Sequence, residues 1–304
     1  MGEEQPFFSI IIPTYNRPGQ LGACLHSLAQ LDYPRDRFEV IVVDDGSETL
    51  PEAVVAPFHD QLNVSLLTQA HAGPATARNT GAARARGEFL AFTDDDCKPV
   101  PDWLKALAVR FAATPNQMIG GRTLNALPDN LYSTTSQAII DVVYAYYNAD
   151  PDKARFFASN NMTLPAERFR AIGGFDPSFT ASEDRDLCDR WLLRGYGMTY
   201  APEAMIYHAH ALTFRTFWRQ HLNYGRGAFR FRQARLRRGS ANFIEDAKFY
   251  ARLPKLLRLR LSQTRGRRAF WLAGLLALWQ VANAAGFLWE AVNQRGSREE
   301  GKSK

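Results

Sequence analysis

Four short apolar runs set the tightest limit on how this chain folds. They are "FFSIII" (7–12), "FEVIVV" (38–43), "NVSLLT" (63–68) and "EFLAFT" (88–93). The first two are near-continuously apolar, the mark of a strand covered on both faces, and the other two read as a third and a fourth strand. The segments between them have helical character. In "GQLGACLHSLAQL", Leu21, Cys24, Leu25 and Leu28 recur at helical spacing, and "GPATARNTGAARA" opens on Gly-Pro, which suits a helix start. Buried strands alternating with helices predict an α/β chain with a mostly parallel central sheet and helices on both faces. In such sheets ligands bind beyond the carboxyl ends of the strands. Thr14, Asp44, Asp45 and the triplet Asp94, Asp95, Asp96 are all expected just after strands, so residues far apart in sequence should converge on one edge.

The middle of the chain is less regular. Residues 131–148 read as a helix, and 156–179 as a strand-like piece, a short helix and a Gly-Gly turn. "EDRDLCDRWLLRGYG" reads as a helix with Leu187, Trp191 and Leu192 as its apolar face, acids in its first turn and Gly195 as its stop. "MTYAPEAMIYHAH" reads as two short strands around a proline turn. With 304 residues, close to half of them hydrophobic, the chain can fill one large domain plus an appendage. Cys24, Cys97 and Cys188 show no paired or metal-ligand spacing, so they fit small buried residues in a reducing compartment. The acidic start "MGEEQ" has no basic region ahead of an apolar run, so no secretory signal is expected.

Three adjacent carboxylates at 94–96 fit either a solvated turn or a cation site. At the end of a buried strand the natural counter-ion is Mg²⁺ or Mn²⁺, hard cations that prefer oxygen and commonly bridge substrate phosphates. The pair in "VVDDGS" suits a ribose contact or an Asp-Gly turn. Arg78 suits a phosphate or base contact, or a surface ion pair. "PTYNRP" follows the first strand where a nicotinamide or flavin dehydrogenase would carry G-x-G-x-x-G, which argues against that class.

"SIIIPTYNRPGQL", "VIVVDDGS", "GPATARNTGAARARGEFLAFTDDD" and "GGFDPSF…SEDRDLCDRWLLRGYG" occur in series. Over residues 7–210 the chain resembles the family 2 glycosyltransferases, inverting enzymes of GT-A fold. The resemblance implies a metal-dependent transfer of a sugar from a nucleotide-diphosphate sugar to an acceptor hydroxyl. It implies that Pro13, Thr14 and Tyr15 lie against the nucleotide, that Asp44 with Asp45 binds the base, and that Arg78 lies near the nucleotide. Asp94 and Asp95 would contact ribose or diphosphate, and Asp96 and His208 would hold the metal, with His210 the competing ligand. Asp184 would be the base that takes the acceptor proton, with Glu183 orienting the acceptor.

Charge divides the chain. Residues 1–214 hold 17 Lys/Arg against 26 Asp/Glu, whereas 215–268 hold 16 against 2. These bounds give a catalytic domain (1–214), a basic helical segment (215–268), an apolar helix (269–289) and a polar tail (290–304). "AFWLAGLLALWQVANAAGFLW" (269–289) is uncharged and long enough to span a bilayer, and Arg258, Arg260, Arg265, Arg267 and Arg268 precede it. This predicts attachment to the cytoplasmic face of a membrane, peripheral or single-pass, with a lipid-linked or cell-envelope glycan as acceptor and no nucleic-acid partner. An interfacial or soluble packing helix is the other reading of 269–289. A sugar-phosphate nucleotidyltransferase and a non-catalytic nucleotide-sugar-binding module are the competing functions.

Overall fold

The computed structural model describes residues 5–262, 264 and 266–300. Met1 to Glu4, Arg265 and the last four residues of the polar tail lie outside them, and with them part of the signal, flank and tail expectations. The chain forms two compact units. The first comprises residues up to Ala126 with Asn148–Ser178 and Glu183–Ala209; the second comprises Leu127–Tyr147, Phe179–Ser182 and the chain from His210 on.

In the first unit β1 (Phe8–Thr14) leads to α1 (Pro18–Ala29), then β2 (Phe38–Asp44), the short α2 (Glu52–Val55), β3 (Val64–Thr68) and α3 (Pro74–Arg84). These are followed by β4 (Phe89–Thr93), β5 (Cys97–Pro99), α4 (Trp103–Ala113) and β6 (Met118–Asn125). The second unit contributes α5 (Leu131–Tyr147), after which β7 (Asn161–Pro165), α6 (Ala166–Ala171), α7 (Glu183–Leu193) and β8 (Met198–His208) complete the first. The strands form one sheet in the order β3-β2-β1-β4-β7-β6-β8-β5. β1 to β4 are parallel neighbours, and β6 runs parallel to β8. β7 is antiparallel to β4 and β6, and β5 is antiparallel to β8, so the sheet is mixed.

Both faces are covered, as continuous apolar strands require. Phe8, Ile10, Ile12, Val40 and Val42 pack with Leu21, Leu25 and Leu28 of α1 and Trp103, Leu107 and Phe111 of α4. On the opposite face Gly81 of α3 lies over Ile11 and Val43 so closely that an added Cβ would come within 2.6 Å of the Ile11 side chain. Small residues therefore let α3 sit close to the sheet, and Arg78 falls on its buried side.

Several expectations shift. Thr14 and Asp44 are the last residues of their strands rather than the first after them. β3 is partly exposed, as befits the sheet edge. Leu192 is exposed on α7, whose apolar face is Leu187, Cys188 and Trp191. "MTYAPEAMIYH" forms one strand, because the residues around Pro202 bulge out between two runs that both pair with β6. All three cysteines are buried and free.

The second unit contains α5, α8 (Phe214–Arg238), α9 (Phe243–Ser262) and α10 (Arg267–Glu300). Thr213 caps α8 with a reciprocal bond to Thr216. Ala138, Ile139 and Val142 of α5 share a core with Phe217, Leu253, Leu272, Leu276 and Trp279. Facing glycines bring α8 and α10 into backbone contact: a Cβ on Gly225 would lie 2.1 Å from the Asn283 carbonyl oxygen. Glu290 joins the same pair, accepting from Arg226 Nε at 2.9 Å and Arg230 Nε at 2.7 Å.

Candidate active site

β1, β2 and β4 end on the same edge of the sheet, and the first unit gathers its polar side chains there. After Thr93 the chain turns tightly, with the Cys97 N–H donating to the Asp94 carbonyl at 3.0 Å. The triplet is thus a turn, but a buried one: Asp95 is 3% and Asp96 7% exposed. Thr14 Oγ1 donates to Asp95 at 2.8 Å. The turn leads into β5, whose antiparallel register sets Cys97 opposite His208 of β8. That register, with the Ala209 N–H donating to the Asp96 carbonyl at 2.8 Å, brings His208 Nε2 to 3.1 Å from Asp96 Oδ1.

The triplet carboxylates differ electrically. Burial, with the charge of Asp96 beside it, pushes the Asp95 carboxyl up to about 6 against the pull of Arg17 and Thr14. Burial disfavours the charged form of His208, but its hydrogen bond to Asp96 and the Asp96 charge outweigh that and hold its pKa above the ordinary imidazole value.

A 3.1 Å separation of Asp96 Oδ1 and His208 Nε2 fits one small cation, since adjacent ligands of an octahedral ion bound at about 2.1 Å lie roughly 3 Å apart. Asp96, Cys97 and His208 together could hold a metal ion. Cys97 is the poor member: burial raises its thiol well above the ordinary range, and hard cations prefer oxygen. A cleft of about 200 Å³ opens beside Asp96, lined by Gly19, Gln20, Ala23, Lys98 and Ala209. His210 falls in the second unit, where its carbonyl accepts from Ser133.

Arg78 ties the triplet to the acid pair at the start of α7. Its Nη2 donates to Asp94 Oδ1 at 2.7 Å and its Nη1 to Glu183 Oε1 at 3.0 Å, and its side chain is 4% exposed. Glu183 is thereby held in an ion pair. Asp184 accepts from the Arg185 N–H at 2.7 Å and has no ion pair among the described residues. Burial, reinforced by the Glu183 charge, pushes its carboxyl up to about 7, with Arg185 and Arg78 pulling more weakly the other way.

The second-strand acids turn inward. Asp44 accepts from the N–H and hydroxyl of Ser47. Asp45 accepts from Gln69 Nε2 at 2.7 Å and from the N–H groups of Ala72 and Gly73 at 2.9 and 2.8 Å, and pairs with His71. Both carboxylates are buried and engaged within the protein, Asp44 fixing its own turn and Asp45 the loop that starts α3. Gly46 sits between this turn and that loop at φ +83°, where a Cβ would lie 2.8 Å from the His71 nitrogen. Pro13 pairs in register with Val43 inside the sheet. Tyr15 is exposed and stacked on His71 with ring centroids 4.3 Å apart, leaving an aromatic surface at the rim.

Several supporting residues carry little sequence signal. Arg17 reaches Asp95 and Asp96 at 3.2 and 3.4 Å. It stands two residues beyond Tyr15 in the same turn, which is the one clue to it. The Asn79 side chain bonds the Phe175 backbone in both directions, at 2.7 and 2.9 Å. Arg190 pairs with the buried Asp186 and donates to the carbonyls of Ile172 and Gly174, so α7 grips the Gly-Gly turn. Asn79 and Arg190 follow from a fold that brings Phe175 and Gly174 to them, which spacing does not disclose.

Comparison with known proteins identifies the fold and the family. The mannosyltransferase PcManGT from Pyrobaculum calidifontis, solved in complex with GDP-Man and Mn²⁺, superposes with a TM-score of 0.67 at 21% identity, over 95% of this chain and 88% of that one. Residues 1–349 of Staphylococcus aureus TarS in complex with UDP-GlcNAc give a TM-score of 0.55 at 17% identity, over 95% and 92%. These likenesses establish the GT-A type of fold. Among curated proteins, the glycosyltransferase AglE of Haloferax volcanii is 26% identical over 73% of this chain and 73% of its own length. The validoxylamine A glucosyltransferase of Streptomyces hygroscopicus subsp. jinggangensis is 31% identical over 66% of this chain, which spans 54% of that enzyme. The sequence profile of Glycosyl transferase family 2 matches residues 9–173, more than half of the chain, and the chain belongs to that family.

Proposed function

We propose that the first unit transfers a sugar from a nucleotide-diphosphate donor to an acceptor hydroxyl with inversion, using Asp184 as the base. The observation that carries this reading is the double ion pair of Arg78. It joins Asp94, in the candidate donor site, to Glu183, and so leaves the adjacent Asp184 as the unpaired acid. A carboxyl raised to about 7 suits a general base near neutral pH, an effect worth about 10²–10⁴-fold in rate. Glu183, fixed by Arg78, orients the acceptor.

On the donor side Tyr15 and His71 offer the base a flat surface, while Asp44 and Asp45 support it by fixing the turn and loop beneath. Pro13 and Thr14 form the floor, with Thr14 orienting Asp95. Asp94 and Asp95 face ribose or diphosphate. Asp96 and His208 would hold Mg²⁺ or Mn²⁺, a fit supported by their 3.1 Å spacing. Once bound, such a cation supplies Lewis-acid neutralisation of the leaving diphosphate. The Mn²⁺ and GDP-Man in the PcManGT complex favour this reading.

We assign the catalytic role to 1–214 and membrane attachment to the basic and apolar helices after it. α10 is long and apolar enough to cross a bilayer within Arg267–Gln294, where an 18-residue window has a mean hydropathy of 1.4, and Phe270, Trp271, Leu288 and Trp289 are exposed on it. Attachment at the cytoplasmic face, peripheral or single-pass, suits a lipid-linked or envelope glycan acceptor.

The test is a donor screen: nucleotide sugars with Mn²⁺ or Mg²⁺, read by release of the nucleoside diphosphate through slow hydrolysis. Donor-dependent release that Asp184→Asn abolishes is the expected result. Release of pyrophosphate from a nucleoside triphosphate and a sugar phosphate, or no turnover of any donor, would overturn it.

A further inference from the structure

The two guanidiniums of the site are held very differently. Arg78 is buried and spends two nitrogens on two carboxylates at 2.7 and 3.0 Å. Arg17 is 49% exposed and shares one nitrogen between Asp95 Oδ1 at 3.2 Å and Asp96 Oδ2 at 3.4 Å. Those are loose contacts, without the paired-fork geometry that makes arginine–carboxylate bonds strong. Each contact is weak enough to be exchanged for another partner, although both acids it meets are buried.

Its backbone, by contrast, is fixed. Asn16 sits in the left-handed region at φ 54°, donates its N–H to Ser47 Oγ at 2.8 Å and accepts from the Glu48 N–H at 2.9 Å. The Arg17 carbonyl accepts the Leu21 N–H at the start of α1. A rigid base thus aims a long, half-exposed side chain at the carboxylates that face the candidate cation position. Asp96 meets His208 through Oδ1 and Arg17 through Oδ2.

We propose that Arg17 is a resident counter-ion for Asp95 and Asp96 that a divalent cation displaces. The inference rests on the assignment of Asp96 and His208 as metal ligands. Without metal, Arg17 offsets the repulsion between two buried adjacent carboxylates. When a cation takes Asp96, two positive groups compete for one carboxylate. The half-exposed side chain is the one free to swing out, because Arg78 and His208 are enclosed. Arg17 therefore weakens metal affinity while keeping the empty site folded.

The experiment is a Mn²⁺ titration of the full chain without donor, read by loss of the free Mn²⁺ electron paramagnetic resonance signal. Wild type, Arg17→Gln, Arg17→Lys and Asp96→Asn are compared, together with melting in chelator and in saturating Mn²⁺. Removing a unit positive charge beside a divalent ion at near-water dielectric is worth on the order of tenfold in affinity. Arg17→Gln should bind Mn²⁺ about that much more tightly. It should melt below wild type in chelator and level with it in saturating Mn²⁺, while Arg17→Lys stays near wild type. Arg17→Met, which keeps the aliphatic stem, serves if the Gln variant folds poorly. Equal or weaker Mn²⁺ binding by Arg17→Gln, or a melting deficit that Mn²⁺ leaves unchanged, makes Arg17 an ordinary structural ion pair and overturns the proposal. If wild type and Asp96→Asn bind Mn²⁺ alike, the metal-site assignment falls and takes this inference with it.

Discussion

Replacing Asp184 by asparagine should damage catalysis and improve stability, with opposite pH signatures. The Asp184 carboxyl is pushed from 3.8 up to about 7, first by burial and then by Glu183. Between those values the folded protein binds a proton that the unfolded chain does not, so Asp184 makes stability fall as pH rises through that window. At about 1.4 kcal/mol per pH unit the full loss has a ceiling of roughly 4 kcal/mol. Water reaches part of this side chain, so about half of that, ~2 kcal/mol, is the working expectation. Asparagine mimics the protonated acid at every pH. The variant should match wild type near pH 4 and exceed it by ~2 kcal/mol at pH 8. That is about 5 °C in melting temperature, at roughly 2–4 °C per kcal/mol for a domain of this size. Turnover should drop by at least about 10²-fold with donor affinity retained. Paired denaturation curves at pH 4.5 and 8, alongside donor binding and turnover, provide the check. An Asn variant that keeps the wild-type pH slope shows that Asp184 is not held neutral, and one that keeps turnover removes it as the base.

Three other perturbations test the surrounding framework. Arg78→Ala strands two carboxylates at once and should cost about 3–5 kcal/mol, measurable by urea denaturation; Arg78→Lys should recover only part, since one ammonium cannot reproduce the fork. Asn79→Ala removes both bonds to the Phe175 backbone and should cost about 1–3 kcal/mol, visible as a lower melting temperature and weaker acceptor binding at unchanged donor affinity. Gly46→Ala forces a Cβ onto the His71 nitrogen at a positive φ and should cost about 1–3 kcal/mol while loosening nucleotide binding, measured by calorimetry.

How much of this was legible in the sequence depends on the range of the interaction. The first four strands, α1, α3 and α7 rest on local periodicity and local stop signals, and they lie close to where the residues place them. β5, β6 and α4 carry weaker patterns and appear only in the folded chain. The strand β8 defeats local reading because Pro202 looks like a turn, yet a bulge lets pairing with β6 resume beyond it.

The site divides in the same way. The sequence by itself determined that acids crowd the ends of buried strands, because strand periodicity and Asp-rich turns are local properties. It also determined that an acidic first turn opens α7. Only the tertiary structure decided what those acids do. Pairing of β5 with β8 delivers His208 to Asp96 across more than a hundred residues. α3, lying close over the sheet, delivers Arg78 to both Asp94 and Glu183. Asp44 and Asp45 look as available as the triplet in the sequence, yet backbone amides 3–28 residues away claim their oxygens. A carboxylate's chemistry follows from its burial and its nearest charges, and these are set by strand register and helix packing, which spacing along the chain does not encode.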